Sequence, residues 1–251
     1  MTSVFKGRRE DERLLTGRGR YSDDWNLPGQ LHASFKRSDR SHALIRSVST
    51  EAARNSAGVV AVLTGDDIAA GTFRTLQPIV PFPGREGRRI LVPERPVLAG
   101  DRVRFVGEEV AVVIAESRAA AHDAADLIEV EYEELPAVIG FDTALAEGAA
   151  LLHPGIPGNT CFDFEYGDAA RTADLIERAP HVVRVSLESP RVAPTPMEPR
   201  AVLAWYDAAS GIYEIRCAHQ GAFAMRDALA AIMNVAPEKI RVNLVDVGGA
   251  R

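Results

Sequence analysis

The chain has 251 residues, of which 46% are hydrophobic and 25% charged, and its formal net charge is -6. This length allows one large domain or two ordinary ones, and the composition is that of a globular protein. An acidic balance gives no general attraction to phosphate backbones, so no nucleic acid partner is expected. The sequence has no apolar stretch near the roughly 20 residues that span a bilayer, so no membrane span is predicted.

The cysteines and histidines do not form a metal-binding pattern. Cys161 and Cys217 lack the close spacing of metal ligands, and the 6 histidines are scattered without acidic or cysteine partners at ligand spacing. The first residues contain no apolar secretory segment. We therefore expect a cytoplasmic protein with free thiols and no metal ligands in this chain.

Strand and helix patterns in the first half predict a mixed α/β (α+β) domain. Alternation over 31–35, a second segment over 43–48 and an apolar run over 59–63 are typical of strands, and the residues from Thr64 to Asp67 offer the N-cap of a short helix. The clearest pattern is a strand over 110–115, a helix capped by Ser117 and a strand over 129–133. The Pro- and Gly-rich stretch 71–96 predicts a long irregular loop.

The second half repeats strand patterns after a loop-like stretch. Val183, Val185 and Leu187 alternate with polar or smaller residues, as in a strand. Segments 201–206 and 212–218 flank a five-residue loop and predict a hairpin. A helix near 221–233 and a strand over 240–244 follow, and that strand ends in Gly248-Gly249. We accordingly predict a lead-in over 1–17, a first domain over 18–137, a linker over 138–180 and a second domain over 181–251.

Several motifs stand in the order typical of one enzyme family. In the first half they are Gly17-Arg18-Gly19-Arg20-Tyr21, Leu31-His32-Ala33-Ser34-Phe35, Gly58-Val59-Val60-Ala61-Val62-Leu63-Thr64-Gly65, Val103-Arg104-Phe105-Val106-Gly107-Glu108 and Tyr132-Glu133-Glu134-Leu135-Pro136. In the second half they are Pro196-Met197-Glu198-Pro199-Arg200, Ala218-His219-Gln220 and Val245-Asp246-Val247-Gly248-Gly249. Together they resemble the xanthine dehydrogenase/aldehyde oxidase family, including the large subunits of aerobic carbon monoxide dehydrogenases. The resemblance implies an a/b hammerhead domain followed by the truncated start of a molybdopterin-binding domain.

The resemblance also assigns roles to three residues. Gln220 alone would be taken for a helix cap, but the matching glutamine of the family lies near the molybdenum centre, where its amide can donate a hydrogen bond. Gln220 is therefore our catalytic and cofactor-binding candidate. Gly248 and Gly249 alone would be a turn, whereas in the family this glycine run lets the backbone approach the pterin. Glu198 is expected to pair structurally with a basic neighbour and is not assigned as the catalytic base.

The function that the resemblance implies is that of the N-terminal part of a molybdenum hydroxylase large subunit. Such enzymes hydroxylate aldehyde, N-heterocycle or CO-type substrates with a molybdopterin-type molybdenum cofactor. FAD and 2Fe-2S clusters would belong to a medium and a small partner subunit, in a dimer of heterotrimers. Ala250 is not followed by the Phe-Gly of the family's glycine run, and nothing matches the family's catalytic glutamate. We therefore expect the chain to be incomplete and inactive alone.

Two alternatives belong to other classes of protein. One is a short interaction or assembly module for molybdenum hydroxylase subunits, and the other is an unrelated mixed α/β binding protein. The sequence leaves the substrate open.

Overall fold

The computed structural model describes residues 7–77, 84–190 and 192–249. Its strands are β1 (His32–Arg37), β2 (Ala43–Ser49), β3 (Val59–Thr64), β4 (Arg102–Val103), β5 (Glu109–Ala115), β6 (Glu129–Glu134), β7 (Val202–Asp207), β8 (Ile212–Cys217) and β9 (Ile240–Leu244). Its helices are α1 (Asp11–Leu15), α2 (Glu51–Arg54), α3 (Gly65–Ala70), α4 (Arg118–Asp126), α5 (Phe141–Leu145), α6 (Ala169–Glu177) and α7 (Ala222–Met233). None of these helices is both long and apolar enough to cross a membrane.

The chain forms two compact units. One is Leu31–Pro190, and the other is made of the chain on either side of it. The fold is mixed α/β, as predicted, and the strands of the described residues form three separate sheets of three strands each.

The unit Leu31–Pro190 contains two antiparallel sheets, with strand orders β1-β5-β3 and β4-β2-β6. The central strand β5 is an apolar run because both of its faces are covered, and Val110, Ala111 and Val113 have no exposed surface. Helix α4 begins at the Ser117 cap, whose side chain accepts a hydrogen bond from the Ala120 N–H at 3.1 Å. The predicted strand, helix and strand are confirmed, but β5 and β6 lie in different sheets.

The segment 138–180, predicted as a linker, carries α5, α6 and several tertiary hydrogen bonds. Asn159 accepts a hydrogen bond from the Leu152 N–H at 3.1 Å and donates to the carbonyls of Ala144 and Ala150 at 3.1 and 2.9 Å. Its positive φ of 52° suits asparagine better than most residues. The segment therefore has its own structure, while the domain boundary itself stays a prediction.

The sequence also predicts a long loop over 71–96 and a strand around Val183, Val185 and Leu187. Part of the predicted loop 71–96 lies outside the described residues, at 78–83, and the rest contains only the 3-10 turn Arg85–Gly87. The strand predicted around Val183, Val185 and Leu187 is wrong for this structure, because the described residues between 178 and 201 contain neither helix nor strand. A strand needs another strand to pair with, and no described strand pairs with this segment.

The second unit has a small sheet of order β7-β8-β9. β7 and β8 form the predicted antiparallel hairpin, and α7 leads from β8 into β9, which runs parallel to β8. The predicted hairpin, helix and last strand are therefore confirmed. Glu214 of β8 is only 6% exposed and accepts hydrogen bonds from Arg241 and Asn243 of β9, which links the two parallel strands.

Gly65→Ala tests a close backbone contact in the first unit. A Cβ at Gly65 would lie 2.4 Å from the Ala99 carbonyl oxygen and 2.5 Å from the Gly100 Cα. Because these neighbours are main-chain atoms, the backbone would have to shift to make room for the methyl group. We expect this to lower the free energy of unfolding by about 1–3 kcal/mol. The control is Gly155→Ala, where nothing lies within 4 Å. Equal effects of the two variants on denaturant unfolding would contradict the packing argument.

Candidate functional site

The three predicted site residues lie beyond the ends of two parallel strands. Cys217 at the end of β8 pairs with Leu244 at the end of β9, so both strands end at the same edge. Gln220 lies between β8 and α7, and Gly248-Gly249 follows β9. We call residues 217–221 and 244–249 the carboxyl edge. In open sheets with parallel strands, ligands bind at this kind of edge, where the connecting helix also begins.

Gln220 presents its amide to solvent. The residue is exposed, and its side chain makes no hydrogen bond to any described part of the chain. The N-cap of α7 is Gly221, and no side chain caps that helix end. Instead, His219 Nδ1 accepts a hydrogen bond from the Gly221 N–H at 3.0 Å and shapes the turn. The reading of Gln220 as a helix cap is therefore wrong, and its amide is available to a ligand.

Gly248 and Gly249 are packed against other parts of the same unit. A Cβ at Gly248 would lie 2.6 Å from Glu198 Cβ and 3.3 Å from Tyr21 Cδ1. A Cβ at Gly249 would lie 2.5 Å from Pro196 Cβ. The absence of side chains is thus explained by internal packing, and contact of these glycines with a cofactor stays a prediction.

Glu198 fixes the chain after β9. It is 8% exposed, and its carboxylate accepts hydrogen bonds from the N–H groups of Ser22, at 3.0 Å, and Gly248, at 2.6 Å. Ser22 is itself 2% exposed, and its hydroxyl accepts a hydrogen bond from the Ala218 N–H at 2.8 Å. Glu198 has a structural role through main-chain amides, and its expected pairing with a basic neighbour stays a prediction.

Asp246 binds residues on both sides of the boundary predicted after residue 17. It accepts hydrogen bonds from the Arg20 N–H at 2.7 Å and from Arg13, whose Nη2 lies 2.7 Å away. The Arg13 hydrogen bond, helped by the Arg20 N–H and the Arg13 charge, holds the Asp246 pKa below its ordinary value, although partial burial acts to raise it. Arg13 precedes Asp246 by 233 positions, so no local pattern could have revealed the pair.

Trp25 also connects the N-terminal segment to the sheet. The guanidinium carbons of Arg20 and Arg216 lie 3.5 and 3.9 Å from its ring centroid. Both groups therefore make cation–π contacts with the indole. Residues 13–25 therefore form an N-terminal strap, bound both to β8 and to the chain after β9.

Two family models match the chain in sequence order. The a/b hammerhead domain of aldehyde oxidase and xanthine dehydrogenase matches residues 16–136, and a molybdopterin cofactor-binding domain matches residues 152–250. The carboxyl edge lies within the second match.

Similar proteins are much longer than this chain. It is 30% identical to the carbon monoxide dehydrogenase large chain of Hydrogenophaga pseudoflava, over 96% of this chain and 30% of that one. It is 41% identical to the nicotine 6-hydroxylase large subunit of Paenarthrobacter nicotinovorans, over 80% of this chain and 24% of that one. The solved structure of quinoline 2-oxidoreductase from Pseudomonas putida 86 superposes with a TM-score of 0.83 at 39% identity, covering 99% of this chain and 30% of that one. The chain thus spans at most about a third of these relatives.

Asp246→Asn should destabilise the protein in a pH-dependent way. The folded-state pKa of Asp246 is lowered, so its contribution is complete above the ordinary aspartate pKa and is lost as pH falls through the folded-state value. Wild type should therefore be more stable than the variant at pH 7, and the difference should shrink toward zero in strong acid. Denaturant unfolding between pH 7 and pH 2 measures it. Asp227→Asn, at an exposed ion pair, is the control and should change stability by less than about 0.5 kcal/mol.

Gly248→Ala tests the packing of the glycine pair. The new methyl group would overlap the Glu198 side chain, so we expect the free energy of unfolding to fall by about 1–3 kcal/mol. Gly221→Ala is the matched control, because its nearest neighbour would be Ala224 Cβ at an ordinary 3.8 Å. Faster hydrogen exchange of the backbone amide at position 248 in the Gly248→Ala variant alone would show that the loss of stability arises at this position. An unchanged stability of Gly248→Ala would overturn this account.

Proposed function

Because the chain belongs to the aldehyde oxidase and xanthine dehydrogenase family, we propose that it is part of the molybdopterin-binding large subunit of a molybdenum hydroxylase. The observation that carries the proposal is the free Gln220 amide at the carboxyl edge, within the segment that matches the cofactor-binding domain. The proposed reaction is oxidative hydroxylation of an aldehyde, an N-heterocycle or a CO-type substrate.

The donors at the carboxyl edge suit an oxygen-rich, anionic cofactor. The exposed Gln220 amide can donate hydrogen bonds to oxygen, and the first turn of the 12-residue helix α7 has N–H groups that no side chain caps. When bound, the molybdopterin cofactor would supply the redox chemistry. Gln220 would orient the reacting group. Gly248 and Gly249 would contact the cofactor only through their main chain, because Glu198 and Pro196 fill the space beside their Cα atoms.

The partners and the substrate follow from the same proposal. Relatives named as large chains or as subunit gamma of a complex support a medium FAD subunit and a small 2Fe-2S subunit. We propose a dimer of such heterotrimers. Identity is higher to the nicotine and quinoline enzymes, at 41% and 39%, than to the carbon monoxide dehydrogenase, at 30%, which favours an N-heterocycle as substrate.

Purification of the full large subunit from a host that makes molybdopterin tests the proposal. The expected result is near-stoichiometric molybdenum and pterin, co-purification of flavin and iron–sulfur subunits, and oxidation of an N-heterocycle such as quinoline. Light scattering of the complex gives its subunit count. A subunit that binds neither pterin nor molybdenum in that host would refute the assignment.

Gln220→Ala in the full subunit should slow turnover per bound molybdenum. Removal of one preorganised donor at a reacting centre costs on the order of 100-fold in rate. Thermal stability should hardly change, because the side chain is exposed and bonded to no described residue. His219→Ala is the neighbouring control, and it should lower stability by about 1 kcal/mol through loss of its hydrogen bond to the Gly221 N–H. Unchanged normalised turnover in Gln220→Ala would remove Gln220 from the site.

A further inference from the structure

Three arginines lie within electrostatic range of His153 in the unit Leu31–Pro190. Arg102 belongs to β4, Arg104 follows that strand directly, and Arg95 lies in the irregular chain before it. Arg95 is exposed, and the other three residues are half-buried. We call these four residues the arginine cluster. The proposed function uses none of them.

Main-chain carbonyls hold Arg104 next to the segment that carries His153. Arg104 Nε donates a hydrogen bond to the Leu152 carbonyl at 3.2 Å, and its Nη1 donates to the Arg102 carbonyl at 3.3 Å. Leu152 directly precedes His153, and its N–H donates to Asn159 Oδ1 at 3.1 Å. Because the acceptors of the Arg104 guanidinium are neutral carbonyls, its position is fixed while its positive charge is not neutralised.

Arg102 has no anionic partner among the residues that the structure describes. Its buried Nε makes no hydrogen bond to them, and its guanidinium forms no ion pair with any of their carboxylates. A buried donor of a charged group is unfavourable without an acceptor. The Arg102 side chain therefore favours an acceptor that comes from outside the described chain.

The electrostatics of His153 agree with a surplus of positive charge. Burial, followed by the charges of the three arginines, holds the pKa of His153 below its ordinary value, while Glu94 acts to raise it. The imidazole is then neutral at pH 7 and offers one N–H donor. Glu108 also lies beside Arg104, where its carboxylate accepts the Arg104 main-chain N–H. Three permanent positive charges therefore face two carboxylates, Glu94 and Glu108.

This set of donors suits a phosphate group better than a carboxylate. The planar donors of a guanidinium match pairs of oxygens in either group. A carboxylate has two oxygens and a single charge, so one guanidinium satisfies it. A phosphate group has more oxygens and a charge of about -1.5 to -2, so it can pair with several arginines at once.

We propose that the arginine cluster is a binding site for a phosphate group, carried either by inorganic phosphate or by a nucleotide. The proposal does not depend on the proposed function, because the cluster belongs to the unit Leu31–Pro190 and the carboxyl edge belongs to the other unit.

Titration calorimetry of the 251-residue chain, at constant ionic strength in a buffer free of other oxyanions, tests the proposal. One inorganic phosphate should bind per chain, and acetate should bind at least about 10-fold more weakly. Adenosine monophosphate separates the two sources, because it should bind more tightly than inorganic phosphate only if the site takes a nucleotide. Absence of phosphate binding, or acetate binding of equal strength, would overturn the proposal.

Matched variants locate the site. Arg102→Gln and Arg95→Gln should each weaken phosphate binding at least about 10-fold, because each removes a charged donor. Arg95 is exposed, so its variant should fold even if Arg102→Gln does not. Glu94→Gln removes an opposing charge and should tighten binding. Arg171→Gln, at an exposed position of α6, is the control, and a loss as large as that of Arg95→Gln would reveal only unspecific attraction and reject the site.

The imidazole of His153 gives a second, independent readout. A bound anion beside the ring favours its protonated form, so saturating sulfate, a phosphate analogue that does not titrate near neutral pH, should raise the pKa of His153. An NMR titration of the ring measures this. The ring signals of His122, exposed on α4, should not respond to sulfate at fixed pH. An unchanged His153 titration under saturating sulfate would place the anion elsewhere and overturn the assignment.

Discussion

Two carboxylates that accept main-chain hydrogen bonds hold the candidate site together. Glu198 binds the N–H groups of Ser22 and Gly248, and Asp246 binds that of Arg20. A carboxylate that is 8% exposed, as Glu198 is, would be costly to bury without such donors, and hydrogen bonds to a charged acceptor are stronger than neutral ones. The N-terminal strap is therefore tied to the chain after β9, and Gly248 is held there by its hydrogen bond to Glu198.

At the carboxyl edge, some residues serve internal packing and others remain available to a ligand. Gly248 and Gly249 accommodate Glu198 and Pro196, so their small size serves internal packing. His219 shapes the turn before α7 through Gly221, which leaves the Gln220 amide free. Among the described residues, the Gln220 amide and the first-turn N–H groups of α7 are then the donors that this edge offers to a ligand. Such a site suits a cofactor that brings its own chemistry, since the protein then has to supply only position and hydrogen bonds.

The contrast between β5 and residues 181–189 shows how pattern and partner combine. Both are rich in valine. β5 has strands on each side and a helix above it, and Val110 and Val113 are fully buried. Val183 and Val185 have a helix near one side only and remain mostly exposed. Strand propensity is thus realised where pairing and cover are both present.

The sequence by itself determined most of the local elements: β5, α4 behind its Ser117 cap, the β7–β8 hairpin, α7 and β9 all follow from periodicity and capping, which act over a few residues. Family motifs likewise pointed to Gln220 and the glycine pair. Only the tertiary structure placed β5 and β6 in different sheets, bound residues 13–25 to Asp246 and to β8, and gave the glycines their packing partners. The physical reason is distance along the chain, because a bond such as Arg13 to Asp246 joins residues 233 positions apart, and no local pattern records which donor will meet which carboxylate.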